Sequence, residues 1–576
     1  MLRKLLFVTI ITTLFLTAAS LQAASKQTFD ELCAEILESL QSMFPVQATQ
    51  MGIHHYDLRL TDYSSKSVKS MISKLDDYEK KLHKINIENL DEHQQVNYRL
   101  IKSNLDIALL DLKEIAWYKH SPVLYVDEAI TGVYSLMRSQ HAPLSAKRVF
   151  IVSRMKAIPE LFANARRNLK DVPAPYIETA LEQLETGNQF YHEVAGALMN
   201  ESPEDADEIL RISTAAREAM NDFTTFLQGL TPAPEGSFAI GKLNYDYMLS
   251  HLYFLDFDSD SLLALGNALL EEAQQAYHDQ QEYVDNEHVT GIDSVFVPAE
   301  FSRQDVFDYY QWETDQVKLW CEMTDFVTVP EDIAPVRVVE TPPFLRALVP
   351  GIAYEPAGPF DSLQEGLFYV RPLPEEMDRK QLEARYRYVY RRGFKGSVVH
   401  EAFPGHHLQM QIAARNEDPV RKWQTNMMML EGWALYCEET VYDEGLYGRE
   451  DPTHWLNVLG GIRYRAARIV SDVSLHTGRM TMQECIDWMN EVLETDSESG
   501  REYIRKEVRK QSLYPTNRIT YMVGKREIMR LREAAEAQQG PDFDLGAFHD
   551  ALLAEGSIPP VMLWDIMGLT PAAEGE

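Results

Sequence analysis

From Phe29 to about Leu230, apolar residues recur three and four positions apart, the period of helices that each bury one face. In residues 31–40 the apolar positions are Leu32, Cys33, Ala34, Ile36, Leu37 and Leu40, and residues 98–112 and 177–198 repeat the pattern. Turn signals at Asp171-Val172-Pro173-Ala174-Pro175 and in residues 231–236 separate these stretches without long linkers. No repeat of fixed period is present. Between Val336 and Pro374 the period changes, and residues 336–339 and 367–370 read as short strands bounded by Pro and Gly. Helical periodicity returns at Arg379 and runs to about Gln539. The pattern predicts a mainly α protein with a small β-sheet beside a helical half that carries the chemistry.

The first residues follow another rule. Arg3 and Lys4 precede an apolar run over residues 5–16, then small residues lead to Ala23 and Ala24, the order of a signal peptide cleaved near that point. The run is shorter than the ~20 residues of a spanning helix, and no cysteine stands near the cleavage point to take a lipid. The expected organisation is a signal peptide over 1–24, an N-terminal helical region over 25–235 and a motif-bearing region over 236–576, the last two joined in one domain. The expected location is the periplasm or the medium, without stable membrane insertion after cleavage.

Composition narrows the function. The 576 residues are 45% hydrophobic and 25% charged, an ordinary globular balance. A net charge of −33, spread along the chain, disfavours nucleic acid and anionic membranes as partners. Cys33, Cys321, Cys437 and Cys485 are scattered and lack CxxC spacing, which argues against a disulfide framework and sulfur ligation of metal but leaves one disulfide open.

Chemistry gathers at His400-Glu401-Ala402-Phe403-Pro404-Gly405-His406-His407. In zinc peptidases of the HExxH type, two histidines one helical turn apart reach one ion and the intervening glutamate activates water. Here Pro404 occupies the second position. Residues seven apart on a regular helix are separated by about 10 Å along its axis, and residue i+6 points elsewhere, so regularity must break. Pro404 cannot donate to the carbonyl of His400 and Gly405 tolerates unusual dihedrals, so a bulge is expected that brings in His406 as second ligand, with His407 in reserve. The dipeptide alone means little: His192-Glu193 also falls in a helical stretch but has no second histidine after it.

A third ligand comes from the run Met427-Met428-Met429-Leu430-Glu431-Gly432-Trp433-Ala434-Leu435-Tyr436, where an ionised Glu431 among apolar residues calls for a pairing partner or a metal. His400, His406 and Glu431 would hold Zn2+ with a position left for water, and Glu401 would be the general base. Arg468, Asp472 and His476, spaced four apart, form one helical stripe suited to an ion-pair ladder, to support behind the ligands or to recognition of a peptide's terminal carboxylate. Tyr369, within Phe368-Tyr369-Val370, is expected on an edge strand along which a peptide could lie.

The two motifs, with Ala48-Thr49-Gln50-Met51-Gly52, Tyr56-Asp57, residues 366–370, and residues 515–521 with Gly524, resemble the bacterial domain-of-unknown-function 885 family over nearly the whole mature chain. The resemblance implies an α-helical gluzincin fold, similar to thimet-type oligopeptidases, Taq-type carboxypeptidases and angiotensin-converting enzyme, with peptide as substrate. In those relatives a Gly-His pair supplies the second ligand, which favours His406, and tyrosines of the C-terminal half steady the oxyanion, which makes Tyr521 the expected donor. Where the family usually shows Pro-Gly-Gln-Ala before Ser-Tyr, this chain has Pro515-Thr516-Asn517-Arg518-Ile519-Thr520-Tyr521, so nothing is carried over to Asn517 or Arg518. The expected function is an exported zinc metallopeptidase. Its rivals are a zinc hydrolase of another amide class and a non-catalytic exported binding protein.

Overall fold

The computed structural model describes residues 28–287, 301–342, 345–346, 351–374, 376–388, 395–447 and 452–571. The signal segment over residues 1–24 lies outside the described residues. Helices dominate, and a three-stranded sheet is set among them. Among the described residues no helix is long and apolar enough to cross a membrane.

The N-terminal part is a stack that includes Ser65–Leu82, Glu92–Leu109, Pro122–Arg138, Leu144–Asn168, Ala174–Glu201 and Ala206–Gln228. Several starts are fixed by side chains that accept an otherwise unpaired backbone N–H: Ser64 from Ser67 and Asp91 from Gln94. Phe29, Leu75 and Leu100 share one core with Phe368, Trp433, Ile528 and Trp564, while Val126, Phe162 and Phe223 share a second with Ala466 and Val508. Both cores therefore join early and late parts of the chain.

The sheet has the order β1-β3-β2, with β1 (Val336–Glu340), β2 (Ile352–Glu355) and β3 (Gly366–Val370). β3 runs parallel to β1 and antiparallel to β2. Phe368, Tyr369 and Val370 thus sit on the central strand, paired on both sides and buried, which corrects the expectation of an edge strand there. The edge strand that reaches the chemistry is β2, half-buried, which the sequence pattern does not reveal.

Six helices carry the candidate site: α1 (Lys395–Glu401), α2 (His406–Ala413), α3 (Met427–Asp443), α4 (Pro452–His476), α5 (Glu498–Leu513) and α6 (Thr520–Gln539). Asn426 caps α3 by accepting from Met428, and Ser497 caps α5 by accepting from Gly500. α3 and α6 cross closely at two glycines, since a Cβ on Gly524 would lie 2.1 Å from the Met428 carbonyl oxygen and one on Gly432 2.5 Å from the Gly524 carbonyl carbon. All four cysteines are free and buried. His192 and Glu193 are exposed on their helix.

Candidate metal centre

The break in the His400–His407 segment is wider than a bulge. α1 ends at Glu401, residues 402–405 are non-helical, and α2 starts afresh at His406. The link folds back tightly: Gly405 N–H donates to Val399 O at 3.0 Å, and a Cβ on Gly405 would stand 2.0 Å from His400 O. Only glycine fits there. Trp433 of α3 holds the link through Nε1–H to Pro404 O at 2.8 Å, both groups being buried.

This turn brings the His400 and His406 rings to 4.7 Å between centres, nearly perpendicular at 82°. Glu431 rises from α3 between them, its Oε2 lying 3.3 Å from His400 Nε2 and 3.5 Å from His406 Nε2. Ligand atoms of the three residues lie within 4.8 Å of one another. Glu431 Oε2 is buried yet accepts no hydrogen bond, an expensive arrangement for a carboxylate unless a cation takes that place. Burial alone would push the Glu431 carboxyl up, but the two imidazoles hold it well below the usual carboxylate range. Burial would likewise pull His400 down, yet Glu431, Glu438 and Glu401 outweigh it and raise the imidazole to about 10. Two histidines and a carboxylate are a donor set that fits zinc.

His407 turns away from this cluster. Tyr354 Oη donates to its Nδ1 at 2.9 Å, its Nε2–H donates to Ala334 O at 2.9 Å, and burial pushes its pKa down to about 4. Both nitrogens are thereby occupied, so His407 braces α2 against β2.

Two groups around the cluster are unmarked in the sequence reading. Glu438, two turns beyond Glu431 on α3, accepts from His400 Nδ1–H at 2.8 Å and from Arg465 at 3.0 Å. A carboxylate behind a histidine fixes which ring nitrogen faces forward. The signal was available, since Glu438 falls seven residues after Glu431 in the same apolar run. The backbone N–H of Tyr354 on β2 donates to Glu401 Oε2 at 2.8 Å. A main-chain donor leaves no trace in residue identity.

Tyr521 stacks on His400 with ring centres 6.3 Å apart, and burial together with the Glu431 charge pushes its phenol up. Arg468 lies over the Tyr521 ring, Cζ 4.1 Å from its centre. The other expected stripe residues do not join them. Asp472 accepts from Tyr245 Oη at 2.6 Å and Thr516 N–H at 3.0 Å, bracing the turn before α6, while His476 Nε2–H donates to Gln511 O at 3.0 Å. Tyr369 is hydrogen-bonded to Tyr134 and lines a cavity of about 350 Å³ with Arg138, Tyr354 and Glu355.

His54, Asp57 and His141 also bring potential ligand atoms within 4.8 Å of one another. Here His54 already donates to Asp57 at 2.8 Å and to Asp361 at 3.0 Å, and the buried Arg154 stands 3.8 Å from Asp57. That cluster clasps the loop after β2 to the N-terminal helices.

Fold and site together define a helical protein with a buried cluster of two histidines and one glutamate beside an edge strand. Residues 45–567 match the family described as bacterial protein of unknown function, DUF885, and the chain belongs to that family. Two solved structures are similar: the "putative lipoprotein" of unknown function from Shewanella oneidensis, at 21% identity and a TM-score of 0.74, and one from Colwellia psychrerythraea, at 19% and 0.77. Each likeness covers 94% of this chain, with 99% and 98% of the respective relative, and shows a common fold. No curated protein matches.

Proposed function

We propose that this protein is an exported, zinc-dependent peptidase of the gluzincin type that hydrolyses oligopeptides. The observation that carries the reading is the convergence of His400, His406 and Glu431 around a carboxylate oxygen that is buried without a hydrogen bond. Zinc bound by such a set supplies Lewis acidity towards a water and towards the scissile carbonyl.

The chain's own groups supply the rest. Glu401, one residue past the first ligand and held by the Tyr354 amide, accepts the proton of the attacking water and returns it to the departing amine. Tyr521, kept protonated by burial and the Glu431 charge, donates its O–H to the carbonyl oxygen as charge develops there. Glu438 holds His400 by Nδ1, leaving Nε2 to face Glu431. The edge of β2 beside Glu401 offers an extended substrate backbone groups to pair with.

The test is metal analysis of freshly purified protein together with a peptide library read by mass spectrometry. About one zinc per chain is expected, with cleavage that chelation abolishes and zinc restores. Absence of cleavage in the zinc-loaded protein would contradict the reading.

A further inference from the structure

Around Arg468, which lies over the Tyr521 ring, cations outnumber anions. Arg468, only 6% exposed, leaves Nε and Nη2 without any hydrogen bond, and its nearest carboxylate oxygen, on Glu507, is 3.6 Å from Nη1. That same Glu507 oxygen already pairs with Arg518 Nε at 2.8 Å. Lys510, one helical turn after Glu507 on α5, is exposed and interacts electrostatically with the same Glu507 carboxylate. Burial by the surrounding protein and the Arg518 and Arg468 charges push its pKa down. Three cations thus share one carboxylate, and a buried guanidinium with two unused donors is costly unless a ligand anion completes it.

We propose that Arg468, Lys510 and Arg518 form a subsite for the C-terminal carboxylate of the substrate, so that the enzyme removes short fragments from the C-terminal end. The proposal rests on the peptidase reading and adds its substrate class. A forked guanidinium suits a terminal carboxylate, which takes two parallel N–H donors. Spacing limits the product. With 6.3 Å from the His400 ring to the Tyr521 ring and 4.1 Å from there to Arg468 Cζ, a substrate held extended at ~3.5 Å per residue places about three residues or fewer between cleaved bond and terminus. Water adds across the peptide bond, its hydroxyl to the carbonyl carbon and a proton to the amine of the released mono-, di- or tripeptide.

The experiment compares zinc-loaded full-length protein on matched peptides ending in a free carboxylate or in an amide, with products read by mass spectrometry. The free acids should show kcat/KM at least about tenfold above the amides, as expected for a charged hydrogen bond, and release fragments of about three residues or fewer. Lys510→Gln, a surface change that spares the fold, should narrow the acid-over-amide preference about tenfold, and Arg468→Gln should narrow it further. Equal rates on acid and amide, cleavage only at internal bonds, or a preference unchanged in both variants would overturn the subsite while leaving a peptidase. No hydrolysis of either peptide would remove the peptidase reading, and the subsite with it.

Discussion

A single carboxylate, Glu438, ties the candidate metal centre to its support, because it holds His400 from behind while Arg465 balances its charge. Replacing it with glutamine should weaken zinc binding about 10–100-fold while the fold persists, measured by competition with a chelator of known affinity. Unchanged affinity would leave that contact without a role at the centre. A second residue-scale prediction concerns pH. Burial lowers His54, but hydrogen bonds and charge from Asp361 and Asp57 raise it from 6.5 to about 9. A value raised on folding means the clasp stabilises fully below pH 6.5 and loses that contribution as pH rises towards 9. The gap in thermal midpoint between the native protein and His54→Gln should therefore shrink over that interval, and a gap independent of pH would count against the clasp. At this scale spacing and residue type were enough to single out His400, His406 and Glu431, which the fold brings together. The sequence was silent on Tyr354, whose contribution is a backbone amide, and it could not turn His407 away, because that depends on Ala334 and Tyr354, which are distant in sequence.

The elements around the centre are set by glycines at close approaches. Gly405 lets the link between α1 and α2 fold onto the His400 carbonyl, and Gly432 with Gly524 lets α3 touch α6, the helix that carries Tyr521. Gly524→Ala should destabilise the protein by about 1–3 kcal/mol through overpacking, seen as a lower denaturant midpoint. An unchanged midpoint would show that the crossing can relax. Pro404 and Gly405 signalled an irregularity in the sequence, but its size did not follow from them, because the link is also fixed by Trp433, 29 positions on from Pro404. Strand order was illegible for a related reason. Residues 366–370 have strand propensity whether central or at an edge, and only pairing with β1 and with the unmarked β2 decides between the two.

Across the whole molecule, the helical pattern of residues 29–230 and 379–539 told most of the fold class, since amphipathic periodicity is local. The shared cores were not visible in it. Phe29 and Leu100 pack in the same cluster as Trp433 and Trp564, so early and late segments stabilise one another. Calorimetry should show the two halves unfolding in one transition, and zinc should raise that transition as a whole, by about 2.7 kcal/mol at a hundredfold excess over Kd. Two separated transitions, with zinc moving only one, would contradict this coupling.

The central claim, that His400, His406 and Glu431 hold the metal while Glu401 moves the proton, is tested most directly by measuring zinc content and peptide hydrolysis together in Glu401→Gln. The account predicts about one zinc per chain, as in the native protein, with nearly all hydrolysis lost. Full hydrolysis in that variant would contradict it.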